Sequence, residues 1–140
     1  MKILVVYGGT EEPLDGVRSI TNFSTGETGA TLCENLSLNH EVSALKAKRV
    51  RNPRCDCSTS TFVTYQQLSL TIQKILSESY FDMVIMAAAV SDYSVDHLLY
   101  DGEIVAVSQD EKLSSGGSLS VHLRMNDKIV ERLKAYSLNR

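Results

Sequence analysis

Ile3-Leu4-Val5-Val6-Tyr7 is an unbroken apolar run that ends in Gly8-Gly9-Thr10. A strand with one wet face alternates apolar and polar side chains. A continuous run has both faces covered, as in a parallel sheet between helices. The run therefore predicts a buried first strand over residues 2–7. A second continuous run predicts another strand over residues 82–88. Shorter strands are expected at 41–45 and 61–65. Leu68, Ile72, Ile75 and Leu76 recur at helical spacing and predict a helix over 66–79. Leu32, Cys33 and Leu36 form the buried stripe of an earlier helix, starting near Gly26 with Thr25 as its cap. Strands alternating with helices indicate a doubly wound, Rossmann-like α/β fold with a mostly parallel sheet.

Residues 8–29, GGTEEPLDGVRSITNFSTGETG, join the first strand to its helix. A strand, a glycine-punctuated loop and a helix together place backbone N–H groups and a helix N-terminus beside an anion. Pro13 keeps the early part out of a helix, and Gly29 allows close packing or close approach of a ligand. Neither G-x-G-x-x-G nor the P-loop pattern G-x-x-x-x-G-K-[ST] occurs. The spacing alone fits a phosphate or carboxylate site and fits equally a long surface loop with ordinary turn glycines. At the end of the second run, Ala87-Ala88-Ala89 leaves room for a ligand at a strand's C-terminal edge, or for close helix packing.

Gly8-Gly9-Thr10-x-x-Pro13-Leu14-Asp15-x-Val17-Arg18-x-Ile20-Thr21-Asn22-x-Ser24-Thr25-Gly26-x-x-Gly29 resembles the signature of phosphopantothenoylcysteine synthetase, in its stand-alone bacterial type. Ala87-Ala88-Ala89-Val90-Ser91-Asp92-Tyr93 resembles a second block of that family, Glu111-Lys112-Leu113 a third, and Asp127-Lys128-Ile129-Val130 a fourth. The blocks follow the family's order along nearly the whole sequence.

The resemblance implies a ligase of coenzyme A biosynthesis. It would join 4′-phosphopantothenate to cysteine through an acyl-nucleotide intermediate, spending CTP or ATP with Mg²⁺. Asn22 and Lys112 are the implied catalytic residues. Asn22 would hold the acyl-nucleotide; its carboxamide can donate to an oxyanion and accept from an amine. Lys112 would meet nucleotide phosphate as a point charge. Ser114 and Ser115 stand where the family's later lysines are expected, as in some stand-alone bacterial members. Arg18, Ser24 and Gly26 join Asn22 on the substrate side, where Arg18 would pair with an anion or brace the loop through Asp15. Gly9, Met86, Ala87, Ala88, Asp92 and residues Asp127, Lys128, Ile129 and Val130 join Lys112 on the nucleotide side. No metal ligands are implied, since Mg²⁺ is commonly held by substrate phosphates. The family's usual proline is missing from the fourth block.

The resemblance also implies a dimerisation arm within residues 96–125, hence a homodimer, with a phosphopantothenoylcysteine decarboxylase as a further partner. The residues themselves predict two extended segments there, at 103–107 and 119–125, with Gly116-Gly117 as a turn. A last helix follows, capped by Asn126 or Asp127, with Ile129, Val130 and Leu133 on one face. Family domains continue into a further strand and a lysine-bearing loop. One synthetase-like domain over residues 1–140, truncated at its C-terminus, completed by a second polypeptide or inactive, is the expectation.

Length and charge bound the alternatives. A chain of 140 residues with 43% apolar content supports a real core. A net charge of -3 argues against a general nucleic-acid binder. No apolar run reaches membrane-spanning length and no signal-peptide pattern opens the chain, so a cytoplasmic location is expected. Cys33 fits a buried thiol, and Cys55 and Cys57 fit reduced loop cysteines, because no further ligands complete a zinc pattern. Residues 46–60 carry Lys46, Lys48, Arg49, Arg51 and Arg54. They are read as a solvated basic loop, with attraction of a phosphate-bearing substrate as the lesser alternative. A nicotinamide-dependent reductase is the main rival on this fold, yet no tyrosine has a lysine four positions later. A non-catalytic nucleotide-binding module is the second rival.

Overall fold

The computed structural model describes residues 1–108 and 110–138. Strand β1 (Lys2–Gly9) is the axis of the molecule, with Ile3, Leu4, Val5, Val6 and Tyr7 all at 0% exposure. It pairs in parallel with β4 (Glu41–Ala47) on one side and β6 (Met83–Ala89) on the other. Strand β5 (Ser58–Phe62) adds in parallel beyond β4, giving the order β5-β4-β1-β6. The order reverses between β1 and β6, and ligands of open α/β sheets bind beyond the strand ends at such a point.

Helix α1 (Glu27–Leu36) covers one face, where Ile3, Val5 and Tyr7 meet Ala30, Cys33, Val42 and Ala44. Helices α2 (Tyr65–Glu78) and α3 (Ile129–Tyr136) cover the other, where Leu4, Val6, Leu45 and Phe62 meet Leu68, Ile72, Leu76 and Ile129. This is the doubly wound arrangement expected from the continuous runs. Alternate residues of β1 feed opposite cores, so truncating Leu4 or Val5 to alanine would cost about 2–5 kcal/mol. Gly29 is needed for contact, because a Cβ there would lie 2.1 Å from the Tyr7 Cβ.

Several boundaries differ from the sequence reading. Helix α1 is capped at Gly26, with φ 74 and no side-chain cap, while the Thr25 hydroxyl accepts from the Glu27 N–H at 3.3 Å. Tyr65 opens α2 instead of closing a strand, because Thr64 Oγ1 accepts from the Gln67 N–H at 3.1 Å and starts the helix there. The loop after β1 contains a hairpin of β2 (Glu11–Pro13) and β3 (Ser19–Thr21). Helix α3 is capped at Lys128 without a side-chain bond, and Val130 is 60% exposed although Ile129 is buried.

Among the described residues the excursion has three strands, not two. Strand β7 (Tyr93–Tyr100) lies between β8 (Glu103–Val105) and β9 (Leu119–Met125), antiparallel to both. Asp101 and Gly102, both at positive φ, make the two-residue turn from β7 to β8.

The basic segment is also not simply solvated. Lys46 lies at 4% exposure at the end of β4. Arg51 binds Glu34 at 2.6 Å and Glu27 at 3.0 Å, fastening the segment to α1. The Arg51 guanidinium, with the Arg54 N–H, holds the Glu34 carboxyl below the usual carboxylate range. The three cysteines are free thiols, Cys33 buried, and burial pushes it up to about 12.

Candidate functional site

The C-terminal ends of β1, β4 and β5 open into a cavity of about 600 Å³. Gly9, Asn22, Phe23 and Ser24 form part of its wall, with Ala47, Lys48, Arg49, Val50, Phe62 and Val63. The hairpin turns the chain back so that Asn22 lies against β1. A Cβ on Gly9 would come within 1.9 Å of the Asn22 carbonyl oxygen, so only glycine admits this approach. Three residues that the resemblance implied for the site, Gly9, Asn22 and Ser24, thus share one cavity. Gly26 stays close behind them as the buried cap of α1. Phe23, at 97% exposure, stands on the rim.

Thr10 is the hub that sequence reasoning passed over. It is fully buried. Its N–H donates to the Ala89 carbonyl at 3.2 Å, and its carbonyl accepts from the Asn22 N–H at 3.1 Å. Its hydroxyl accepts from the Ser91 N–H at 2.9 Å. One residue therefore joins the Asn22 turn to the end of β6. Its place directly after Gly8-Gly9, where a buried strand meets its loop, was the available signal.

Arg18 makes the bracing contact to Asp15. Its guanidinium meets Asp15 Oδ2 at 2.7 Å, and the other Asp15 oxygen accepts from the Val17 and Arg18 N–H groups at 2.9 and 2.7 Å. Burial opposes ionisation of Asp15, but the Val17, Leu113 and Arg18 N–H groups and the Arg18 charge outweigh it and lower the pKa.

The same turn holds the Lys112 segment. Gly16 N–H donates to the Glu111 carbonyl at 2.9 Å, and Leu113 N–H donates to Asp15 Oδ2 at 3.1 Å. Lys112 is thus fixed at the hairpin's tip, whereas Asn22 sits at its base. Lys112 is exposed and does not line the Asn22 cavity. The three residue pairs of the hairpin lie between the Asn22 cavity and the Lys112 segment.

Beyond β6 the second and fourth blocks come together. Asp92 forms an ion pair with Lys128, which raises the Lys128 pKa, and its carbonyl accepts from the Asn126 N–H at 2.8 Å. Asp127 pairs with Arg132, and its carbonyl accepts from the Tyr65 hydroxyl at 2.8 Å. Met86 and Ala88 pack on the α2 side of the sheet and Ala87 on the α1 side. The Ile129 side chain lies in the core and that of Val130 on the surface, so any polar contact from this pair would come from the backbone. Among the described residues, no group of three or more His, Cys, Asp or Glu side chains could hold a metal ion.

The family described as the DNA/pantothenate metabolism flavoprotein C-terminal domain matches residues 1–139. The chain belongs to this family. Two relatives carry the name coenzyme A biosynthesis bifunctional protein CoaBC. That of Thermococcus kodakarensis is 30% identical over 141 residues, and that of Methanocaldococcus jannaschii is 30% identical over 134. Each comparison takes in 95% of this chain and 30% of the relative. The chain therefore spans about a third of the length of the curated relatives it matches. The solved DNA/pantothenate metabolism flavoprotein of Streptococcus pneumoniae superposes with a TM-score of 0.78 at 29% identity, over 97% of this chain and 65% of that one. The doubly wound sheet is thus the fold of the flavoprotein C-terminal domain family, as the motif order implied.

Proposed function

We propose that this chain carries the phosphopantothenate–cysteine ligase function of coenzyme A biosynthesis, residues 1–140 acting as one domain. The observation that carries the reading is the cavity beyond β1, β4 and β5, whose wall contains Asn22 held against Gly9. The names of its two relatives, which speak of coenzyme A biosynthesis, support it.

A carboxylate is a poor electrophile. In this reading, the 4′-phosphopantothenate carboxylate attacks the α-phosphate of CTP or ATP, and pyrophosphate leaves. The amine of cysteine then attacks the acyl carbon, loses a proton and expels the nucleoside monophosphate. Such steps need placed charges and dipoles more than strong acids or bases. Asn22 supplies a carboxamide that donates to the developing oxyanion and accepts from the amine. Ser24 shapes the acyl end, and the close backbone at Gly9 faces the nucleotide. Asp92, with its Lys128 partner, and the backbone of Asp127 offer polar groups for the nucleotide's sugar, near Met86, Ala87 and Ala88. Arg18 and Asp15 hold the turn that carries Lys112, whose ammonium meets nucleotide phosphate. The residues form no cage for Mg²⁺, which the nucleotide's own phosphates would hold. Homodimerisation through the β7–β9 sheet, a decarboxylase partner and a cytoplasmic setting complete the reading.

The position of Lys112 outside the Asn22 cavity favours a second reading, a module that binds nucleotide without turnover. Incubation with CTP or ATP, Mg²⁺, cysteine and 4′-phosphopantothenate separates the two. Pyrophosphate release that requires 4′-phosphopantothenate, and falls at least about a hundredfold in Asn22→Ala and Lys112→Ala, supports the ligase. Nucleotide binding with no release sinks it.

A further inference from the structure

The β7–β9 sheet carries a side-chain cluster that the ligase reading does not use. Val95 stands opposite Leu123 and His97 opposite His122, so Asp96 between them is a bulged residue with no partner across the ladder. A bulge of this kind re-aims the side chains beside it. The His97 and His122 rings lie face to face, with 4.4 Å between centroids and planes 8° apart. Asp96 Oδ2 lies 2.8 Å from His97 Nδ1. A carboxylate can only accept, so Nδ1 carries the proton, and in the neutral ring Nε2 keeps its lone pair. The cluster reaches solvent: the His97 and Asp96 side chains are 37% and 52% exposed, and His122 is exposed.

We infer that His97 and His122 form a two-imidazole site for a first-row divalent cation such as Zn²⁺ or Ni²⁺, which bridges β7 to β9. Imidazole nitrogen suits these ions. A metal-bound histidine ordinarily gives its other N–H to a carboxylate, which fixes the tautomer and raises the basicity of the ligating nitrogen. Asp96 already makes that bond to His97. Stacked rings cannot share an ion as they stand. The terminal torsion of a histidine is broad, so a turn of each ring about its Cβ–Cγ bond brings the two Nε2 atoms toward one point on the exposed face. Among the described residues no third His, Cys, Asp or Glu side chain completes the set, so water fills the remaining positions. The site is separate from the Mg²⁺ of the nucleotide, a hard cation that takes oxygen ligands. It does not rest on the ligase reading.

Calorimetric titration of the reduced, tag-free whole chain with Ni²⁺ alone tests this. One ion should bind per chain, and an excess of Mg²⁺ should not displace it. Asp96→Ala should lower the affinity about tenfold, and His97→Ala or His122→Ala by more. The free thiols are the competing destination; in the double variant Cys55→Ser, Cys57→Ser the affinity should hold. An ion that bridges two strands should also raise the thermal midpoint of wild type by at least about 5 °C at about a hundred times its Kd, and leave that of His122→Ala unmoved. Circular dichroism reports whether each variant is folded. Should one unfold, NMR of wild type decides: paramagnetic Ni²⁺ should broaden the ring signals of His97 and His122 and spare His40, the third histidine. Affinity unchanged in a folded His122→Ala, affinity lost with the cysteines, or broadening that falls on His40 overturns the site. So does a wild type with no saturable Ni²⁺ binding, which would leave the two rings a packing pair.

Discussion

At the scale of single residues, the site is held by groups whose cost of burial is visible. Glu12 is 8% exposed and accepts from the Tyr65 N–H at 2.8 Å. Burial raises its pKa above the ordinary 4.5, opposed in part by the Tyr65 and Ser94 hydrogen bonds. A carboxyl raised in the folded state stabilises fully below its unfolded pKa, and that contribution is lost as pH rises through the folded value. Glu12→Gln keeps an acceptor oxygen for Tyr65 and carries no charge. Its stability in urea should match wild type near pH 4 and exceed it at pH 7; an equal difference at both values would contradict this account. Residue identities were readable in the sequence only where a block of neighbours fixed them. Asn22, Ser24 and Gly9 came from a long irregular match. Lys46 was grouped with its basic neighbours, because sequence cannot show that strand β4 runs two residues longer and carries its ammonium inside.

Elements were more legible than their ends. The runs over β1 and β6 fixed two strands, since continuous apolar sequence in a short segment has few other uses. Strand β5 and helix α2 were shifted because Val63-Thr64-Tyr65 suits a strand by propensity, whereas the cap at Thr64 decides locally. The Gln67 side chain adds to that cap by accepting from the Val63 N–H at 2.9 Å. Thr64→Ala should therefore cost about 1 kcal/mol in urea denaturation. Because Val63 lines the cavity, the same change should weaken 4′-phosphopantothenate binding; full affinity in the destabilised variant would separate cap from site. Strand β7 was missed for a different reason. Its sequence alternates poorly, and a register shift between Val95 and His97 breaks the period. Asp101-Gly102, the dipeptide that joins it to β8, was the signal at hand.

For the whole molecule, motif order was enough to give the family, but not the way its blocks divide in space. Asn22 and Lys112 belong to different ends of one hairpin, and linear spacing does not reveal which end a block will visit. The sheet also has an open side. Six of the seven residues of β6 are half-buried, Met83 is exposed, and no strand pairs with its outer edge among the described residues. An apolar edge of this kind is a template for another strand. The chain alone should scatter more light as its concentration rises, and Val84→Lys should move the onset to higher concentration. An unchanged onset would place self-association elsewhere.

Thr10 makes the two sides of the switch point mechanically inseparable. Its carbonyl serves the Asn22 turn and its hydroxyl serves the bend that carries Asp92. A substitution chosen to retune packing on one side would be felt as slack on the other, so variation at position 10 is coupled across both halves of the candidate site.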